Sequence, residues 1–450
     1  MPPSLRVLGA ARTVTGSAHL LELDHGSLLV DCGLFQGVPG ASDKNRVAPV
    51  ERPGELAAVM LTHGHLDHVG RLPLLVQGGF EGPVLGHAAT LAIAEIVMRD
   101  AAKIAEHEGK GGPTVADVEA TVARFEPLAY REPHALGDSK VTLFEAGHIL
   151  GSASVLVETG GCNVLFSGDL GRSSTPLLRA PNTQYPEGLR IDHVLIESTY
   201  GDREHPSGPS VRERLRDVLR KALEDGGKVL VPAFAVGRTQ ELLYHLRALI
   251  TDGELAEVPV VVDGPMGLDV TALYERFTGD YDAEAHALLR SGTPPLSFDT
   301  LYAARGGKGS EAARSIPGGA IIVAGSGMCT GGRILRHLEE LLPDERTDVL
   351  FVGYQARGTL GRQLLDGVTE VVLEGQTIPV RARIHCVPGL SAHADKKELL
   401  AWLGAVPGVG TVYVTHGEAE AAAELASSAE RDLGLRARVP EEGERFELAG

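Results

Sequence analysis

Nine short apolar runs recur between helical stretches of the chain. They are SLLVD (27–31), AAVMLTH (57–63), NVLFSGD (163–169), HVLIES (193–198), KVLVPAF (228–234), VPVVVDG (258–264), AIIVAGSG (320–327), DVLFVGY (348–354) and TVYVTHG (411–417). Runs this short and this rich in Val, Ile and Leu read as strands buried on both faces, which places the chain in the α/β class. In several of them the apolar stretch ends in a residue that can bind a metal or move a proton, among them Asp31, His63, Asp169, Glu197 and His416. Ligands of α/β folds collect at strand carboxyl ends, so these five are the first candidates for a common site.

Apolar spacing predicts helices over 115–128, 209–227 and 237–253, the last two stopping on Gly. A chain of 450 residues implies two to three domains. The polar turns at 201–210 and 374–381 are the best boundaries, dividing it into 1–205, 206–380 and 381–450.

No apolar run approaches the roughly 20 residues of a membrane span, and the opening residues lack a basic segment followed by an apolar core. A cytoplasmic protein without a membrane partner is expected. Cys32, Cys162, Cys329 and Cys386 stand far apart with no C-x-x-C pair, which indicates reduced, mostly buried thiols rather than a disulfide framework or a thiolate zinc knuckle. A formal charge of -18 argues against an overall electrostatic grip on nucleic acid. It leaves room for a local one, because bound cations and a few arginines can reverse the field within a cleft.

In LTHGHLDHVG (61–70), three histidines and an aspartate occupy six positions straight after an apolar run. His63 and His65, two apart on extended chain, point to the same side and can share one ion. Asp67 and His68 follow at a helix start, where the change of chain direction aims them at a neighbouring point. That geometry suggests two metals, which in hydrolases lie about 3.5 to 4 Å apart and share a carboxylate. The pair needs a further His and a bridging Asp, and His148 in EAGHILGSAS and Asp169 in LFSGDLGR, each beside glycines, supply them. Imidazole and carboxylate without thiolate suit Zn2+, with Mn2+ or Fe2+ as the lesser alternatives.

The pattern H-x-H-x-D-H with a downstream His and Asp resembles the metallo-β-lactamase superfamily over nearly the whole chain. VLIESTYGDR (194–203), GLSAHAD (389–395) and VTHGE (414–418) resemble further motifs of its β-CASP nuclease branch. VPAFAVGRTQELL (231–243), GSGMCTGGR (325–333) and GYQARGTLGRQ (353–363) strengthen the likeness. The pattern is most similar to that of bacterial and archaeal homologues of the endonuclease subunit of the cleavage and polyadenylation specificity factor. The resemblance implies a metallo-β-lactamase αβ/βα sandwich with an inserted α/β β-CASP domain. It also implies one zinc on His63, His65, His148 and Asp169, a second on Asp67, His68, Asp169 and His416, and Asp31 orienting a ligand histidine. RNA-directed members resemble this chain in having His where His416 stands, whereas DNA-repair members usually carry Val. One departure is Leu390, where relatives often have Phe.

Phosphodiester hydrolysis needs a nucleophile at neutral pH, neutralisation of charge and a proton for the departing oxygen. Two zinc ions supply the first two. The third falls to a group not tied to metal, and His393 in SAHAD, oriented by Glu197, is the candidate acid. The resemblance implies 5′-phosphate and 3′-hydroxyl products. GSGMCTGGR, with Ser326, Gly327 and Arg333, reads either as a phosphate cradle or as a tight strand-to-helix connection. It fails the pattern G-x-x-x-x-G-K-[ST], so no nucleotide cofactor is expected. Arg203, Arg238, Arg333, Arg357 and Arg362 are candidate RNA contacts. Few aromatics argue against an extensive stacking groove. Alternatives are a thioester or lactone hydrolase of the same superfamily, and a catalytically inactive scaffold. A homodimer is compatible with the family's habit of pairing.

Overall fold

The computed structural model describes residues 2–24, 26–109 and 111–449, and the chain divides into two compact units, 1–204 with 393–450, and 205–392. In the first unit two seven-stranded sheets share a core. One runs Arg445–Glu447, Ser4–Val7, His19–Glu22, Ser27–Val30, Leu56–Met60, Val84–His87, Phe125–Leu128. The other runs Arg436–Arg438, Thr411–Val414, His193–Ile196, Asn163–Phe166, Ala153–Glu158, Ser139–Glu145, His134–Leu136.

Alternation along each strand explains the layers. Leu28, Val30 and Met60 of one sheet meet Val155, Val164 and Phe166 of the other. Leu29 and Val59 point outward, to Leu72, Leu75 and Met98 on helices, and Leu165, Val194 and Val412 of the second sheet point to Leu399, Trp402 and Leu425. Strands that are apolar on both faces therefore build a helix–sheet–sheet–helix sandwich, the layering that the family resemblance implies.

In the second unit six parallel strands lie in the order Leu301–Ala304, Val260–Asp263, Ala320–Ala324, Lys228–Pro232, Asp348–Phe351, Arg383–Cys386. Arg383–Cys386 pairs in register with Asp348–Phe351, so the return to the first unit comes at 393 and not at the expected 381. The expected helix over 115–128 stops at Val122. Phe125–Leu128 instead extends the first sheet beside Val84–His87, because its backbone completes that edge. The helices Val211–Ala222 and Arg238–Thr251 fall inside their predicted spans, and the first opens on a Ser210 capping box with Glu213. Cys32, Cys162 and Cys329 are buried while Cys386 is exposed. Among the described residues no helix is long and apolar enough to cross a membrane.

Asp263, at the end of its strand, is fully buried, with Arg333 Nη1 at 2.5 Å and His337 Nε2 at 2.7 Å. The imidazole and guanidinium hydrogen bonds outweigh burial and hold its carboxyl below the usual carboxylate range. Removing one partner of such a set strands the others without compensation. Asp263→Ala is expected to destabilise the second unit by about 3–5 kcal/mol. A lowered urea midpoint checks this, and an unchanged midpoint contradicts it.

Candidate metal centre

The first unit gathers its candidate residues from both sheets. His63, His65, His148 and Asp169 each place a ligand atom within 4.8 Å of the others, and Asp67, His68 and His416 form a second such group. His63 and His65 come off the exit of Leu56–Met60 and precede the short helix Leu66–Val69, which carries Asp67 and His68. His148 lies between Gly147 and Gly151, its N–H held by Ser152 Oγ at 2.9 Å. Asp169 follows Asn163–Phe166, and His416 follows Thr411–Val414.

Asp169 divides its oxygens between the groups. Oδ2 lies 3.4 Å from His63 Nε2 and 3.6 Å from His148 Nε2; Oδ1 lies 3.5 Å from His68 Nε2 and 3.4 Å from His416 Nδ1. Asp67 Oδ2 lies 3.5 Å from His416 Nε2. His65 Nδ1 stands 3.1 Å from His63 Nε2 and 3.2 Å from His148 Nε2, and His68 Nε2 stands 3.1 Å from His416 Nε2.

These spacings fit a cation better than mutual hydrogen bonding. An imidazole nitrogen offers one lone pair or one N–H, so three nitrogens around a common point leave at least one unsatisfied. Zinc ligands at about 2.0–2.1 Å in a tetrahedron stand roughly 3.3 Å from one another, close to the separations seen. Asp169 Oδ1 is buried and accepts no hydrogen bond among the described residues, an acceptor aimed into the site. The protein alone leaves the charges in conflict. Burial and the neighbouring imidazoles push His63 well below its ordinary value. Against its own burial, His68 is raised to about 10 by Asp169 and Asp31.

Asp31 sets the orientation of His68. Its Oδ1 accepts the Thr62 N–H at 2.8 Å, and Oδ2 accepts the Thr62 hydroxyl at 2.8 Å and faces His68 Nδ1 at 2.7 Å. With a proton on Nδ1, the Nε2 lone pair of His68 is left for the site. Asp31 and His416 both adopt left-handed backbone, φ 61 and 50, a costly conformation for non-glycine residues that gathers at functional sites. A side chain at Gly33 would place its Cβ 1.5 Å from the Asp67 carbonyl oxygen, so only glycine lets the Asp31 turn approach the Asp67 turn. Asp31→Ala is expected to weaken zinc affinity roughly 10- to 100-fold, measured by competition with a chelator. Wild-type affinity would remove the orienting role.

Glu197 and His393 sit beside this centre with Asp169. Glu197 Oε1 accepts the Leu170 N–H at 2.7 Å and meets His393 Nδ1 at 3.1 Å, while Oε2 accepts the Thr199 N–H at 3.2 Å. A β-bridge to Gly171 holds the backbone of His393. Burial disfavours the charged imidazole, but the charge and hydrogen bond of Glu197 outweigh it and raise His393 to about 9. The same bond holds Glu197 below its ordinary range despite burial.

The sequence pattern passes over Thr62, which anchors Asp31, and Thr199, whose hydroxyl lies 3.3 Å from His416 Nδ1. Their only signal is adjacency, Thr62 before His63 and Thr199 two after Glu197.

The second unit engages several of the phosphate candidates within the protein. Arg333 turns inward, to Asp263 and to the carbonyls of Ala304 at 2.9 Å and Arg305 at 2.6 Å. The N–H groups of Ser326, Cys329 and Thr330 bond to Gly331 O, Ser326 O and Ser326 Oγ, and the Gly327 carbonyl accepts Gln355 Nε2 at 2.9 Å. GSGMCTGGR thus makes the connection from Ala320–Ala324 to Ile334–Leu341 with three of its N–H groups and the Arg333 guanidinium engaged within the protein. Arg238 pairs with Glu241, Arg362 with Asp366 and, in the first unit, Arg203 with Asp202. Arg357 is exposed and makes no ion pair among the described residues.

Three family descriptions match the chain: Metallo-beta-lactamase superfamily over residues 11–233, Beta-Casp domain over 239–364, and Zn-dependent metallo-hydrolase RNA specificity domain over 377–440. Ribonuclease TTHA0252 of Thermus thermophilus is 42% identical over 92% of this chain and 92% of its own length. Transcription termination factor FttA of Pyrococcus abyssi is 33% identical over 96% of this chain and 69% of its own. A solved Enterococcus faecalis protein of unknown function superposes with TM-score 0.59 at 12% identity, covering 100% of both chains, a likeness of fold alone.

Proposed function

The chain belongs to the β-CASP branch of the metallo-β-lactamase superfamily, and from that premise we propose that it is a zinc-dependent ribonuclease that cuts single-stranded RNA internally, leaving 5′-phosphate and 3′-hydroxyl ends. The observation that carries the reading is the split Asp169 carboxylate between two histidine groups, with the Glu197–His393 pair beside it.

In this reading His63, His65, His148 and Asp169 Oδ2 would hold one zinc, and Asp67, His68, His416 and Asp169 Oδ1 the other. Zinc held by these residues would supply a water that ionises near neutral pH and would offset charge growing on the phosphate. The chain's own residues do the rest. Backbone N–H groups fix Glu197, Glu197 keeps a proton on His393 Nδ1, and the opposite nitrogen, Nε2, presents a proton to the departing 3′ oxygen.

A thioester or lactone hydrolase could use the same centre, but it would not need the 205–392 unit, and the 42% identical relative is named a ribonuclease. The test incubates zinc-loaded protein with RNA labelled at either end, with matched DNA and a thioester reporter alongside. Internal RNA fragments that stop forming with chelator and return with zinc support the proposal. Thioester turnover with intact RNA overturns it.

A further inference from the structure

We infer that the carboxyl edge of the second unit's sheet holds bases of single-stranded RNA, with Phe234 and Tyr354 as stacking surfaces. The inference rests on the ribonuclease reading and adds which surface takes the bases.

Topology picks out this edge. Pro232 is level with Ala324, and the register of Val229 with Asp348 and Leu230 with Val349 brings it level with Phe351, so three neighbouring strands end together. The helices that follow the two outer strands of this trio, Ile334–Leu341 and Leu360–Leu365, share one core with Leu230, Ile322 and Val349. The central strand instead leads into Arg238–Thr251, which packs on Pro265–Arg276, and a right-handed crossover toward Val260–Asp263 puts that helix on the other face. Connections leaving to opposite faces open a crevice beyond the strand ends, where ligands of such sheets bind.

Part of the crevice's donor set is engaged within the protein: the N–H groups of Ser326, Cys329 and Thr330 and the Arg333 guanidinium. The crevice offers rings. Phe234, 43% exposed, sits against Gly327, where a Cβ would come within 2.9 Å of the ring. Tyr354, 55% exposed, leaves the adjacent strand next to Gln355, which is bonded to that same glycine. Strand exits about 4.8 Å apart bring the segments that carry the two rings to one end of the sheet, both beside Gly327, Phe234 directly and Tyr354 through Gln355. Arg357 adds an exposed cation three residues beyond Tyr354.

Two isolated rings suit bases better than a protein face. A stable interface takes roughly 800 Å² from each partner, and the unit's other exposed large apolar side chains, Tyr302 and Val372, lie within a strand and a hairpin. Stacking also needs no base-specific hydrogen bonds, as suits a general RNA site.

The test measures binding of the zinc-loaded full chain to phosphorothioate-linked single-stranded RNA by fluorescence anisotropy, beside an abasic strand of equal length. Phe234→Ala and Tyr354→Ala are each expected to weaken binding of the base-bearing strand roughly 5- to 150-fold and to leave the abasic strand as it was. Phe234→Trp and Tyr354→Phe should restore affinity, with matched thermal midpoints showing that all variants fold. Unchanged affinity, or equal loss for both strands, overturns the inference, as does a switch in oligomeric state with RNA binding intact. A wild-type chain that neither binds nor cuts RNA brings down the ribonuclease reading instead.

Discussion

Replacing Asp169 with Asn is expected to empty both halves of the metal centre at once and to lower RNA cleavage on the order of a thousandfold or more. The reason is geometric. Each carboxylate oxygen faces a different histidine group at 3.4 to 3.6 Å, so this one side chain contributes charge to both. An amide keeps the shape but presents one oxygen and no charge, leaving one group with a nitrogen that donates where a lone pair is needed. Forfeiting about 4 kcal/mol of metal-borne charge stabilisation corresponds to three factors of ten in rate. Zinc content after dialysis gives the direct reading. A second reading is thermal, since a ligand that binds only the folded chain raises its midpoint, and the variant should lose most of that zinc-dependent rise. Zinc retained at wild-type stoichiometry would refute a bridging role for Asp169.

That a single aspartate can be singled out shows how much of the site is legible in the sequence. The candidate ligand histidines announce themselves by spacing and by following apolar runs, the α/β class follows from strands with apolar residues on both faces, and the sandwich is what the family resemblance implies. What the sequence hides is pairing over distance. His68 and His416 stand 348 residues apart and meet at 3.1 Å only because their strands belong to two sheets sharing one core. Periodicity also continues a helix past its end, as at Phe125, because an edge strand and a helix turn can share the same apolar spacing until the sheet supplies hydrogen-bond partners. The domain return shifted for the same reason, since the pairing of Arg383–Cys386 is a tertiary fact.

Charge was misleading in a more instructive way. An arginine in a family-like segment reads as a phosphate contact, yet Arg333 is consumed by a buried carboxylate and two carbonyls. Exposure is equally invisible in the chain. Nothing in VPAFAVG or GYQARG distinguishes an exposed ring from a core ring, and only the level strand ends bring Phe234 and Tyr354 to the surface of one edge. Arg333 is thus held by the fold, while Phe234 and Tyr354, rings in apolar-looking segments, stand open to solvent.

His393→Ala is the substitution that separates metal binding from proton delivery. Its Nδ1 faces Glu197 at 3.1 Å, and in the proposed reading Nε2 is the nitrogen that delivers the proton. The variant should therefore keep the zinc content of the parent and lose roughly 10²- to 10⁴-fold in RNA turnover, the usual worth of a positioned acid. Lost turnover alone would not distinguish an acid from a side chain that merely fills space, so the leaving group is the better probe. The departing 3′ oxygen of RNA is a strong base that needs a proton. The p-nitrophenolate released from bis(p-nitrophenyl) phosphate is stable without one. If His393 supplies the proton, the penalty of the alanine variant should shrink at least about tenfold on the nitrophenyl ester relative to RNA. An equal penalty on both substrates would make His393 a positioning group, and a fall in zinc content would move it into the metal site. Glu197→Gln should reproduce part of the same leaving-group dependence, because its effect passes through the imidazole it orients.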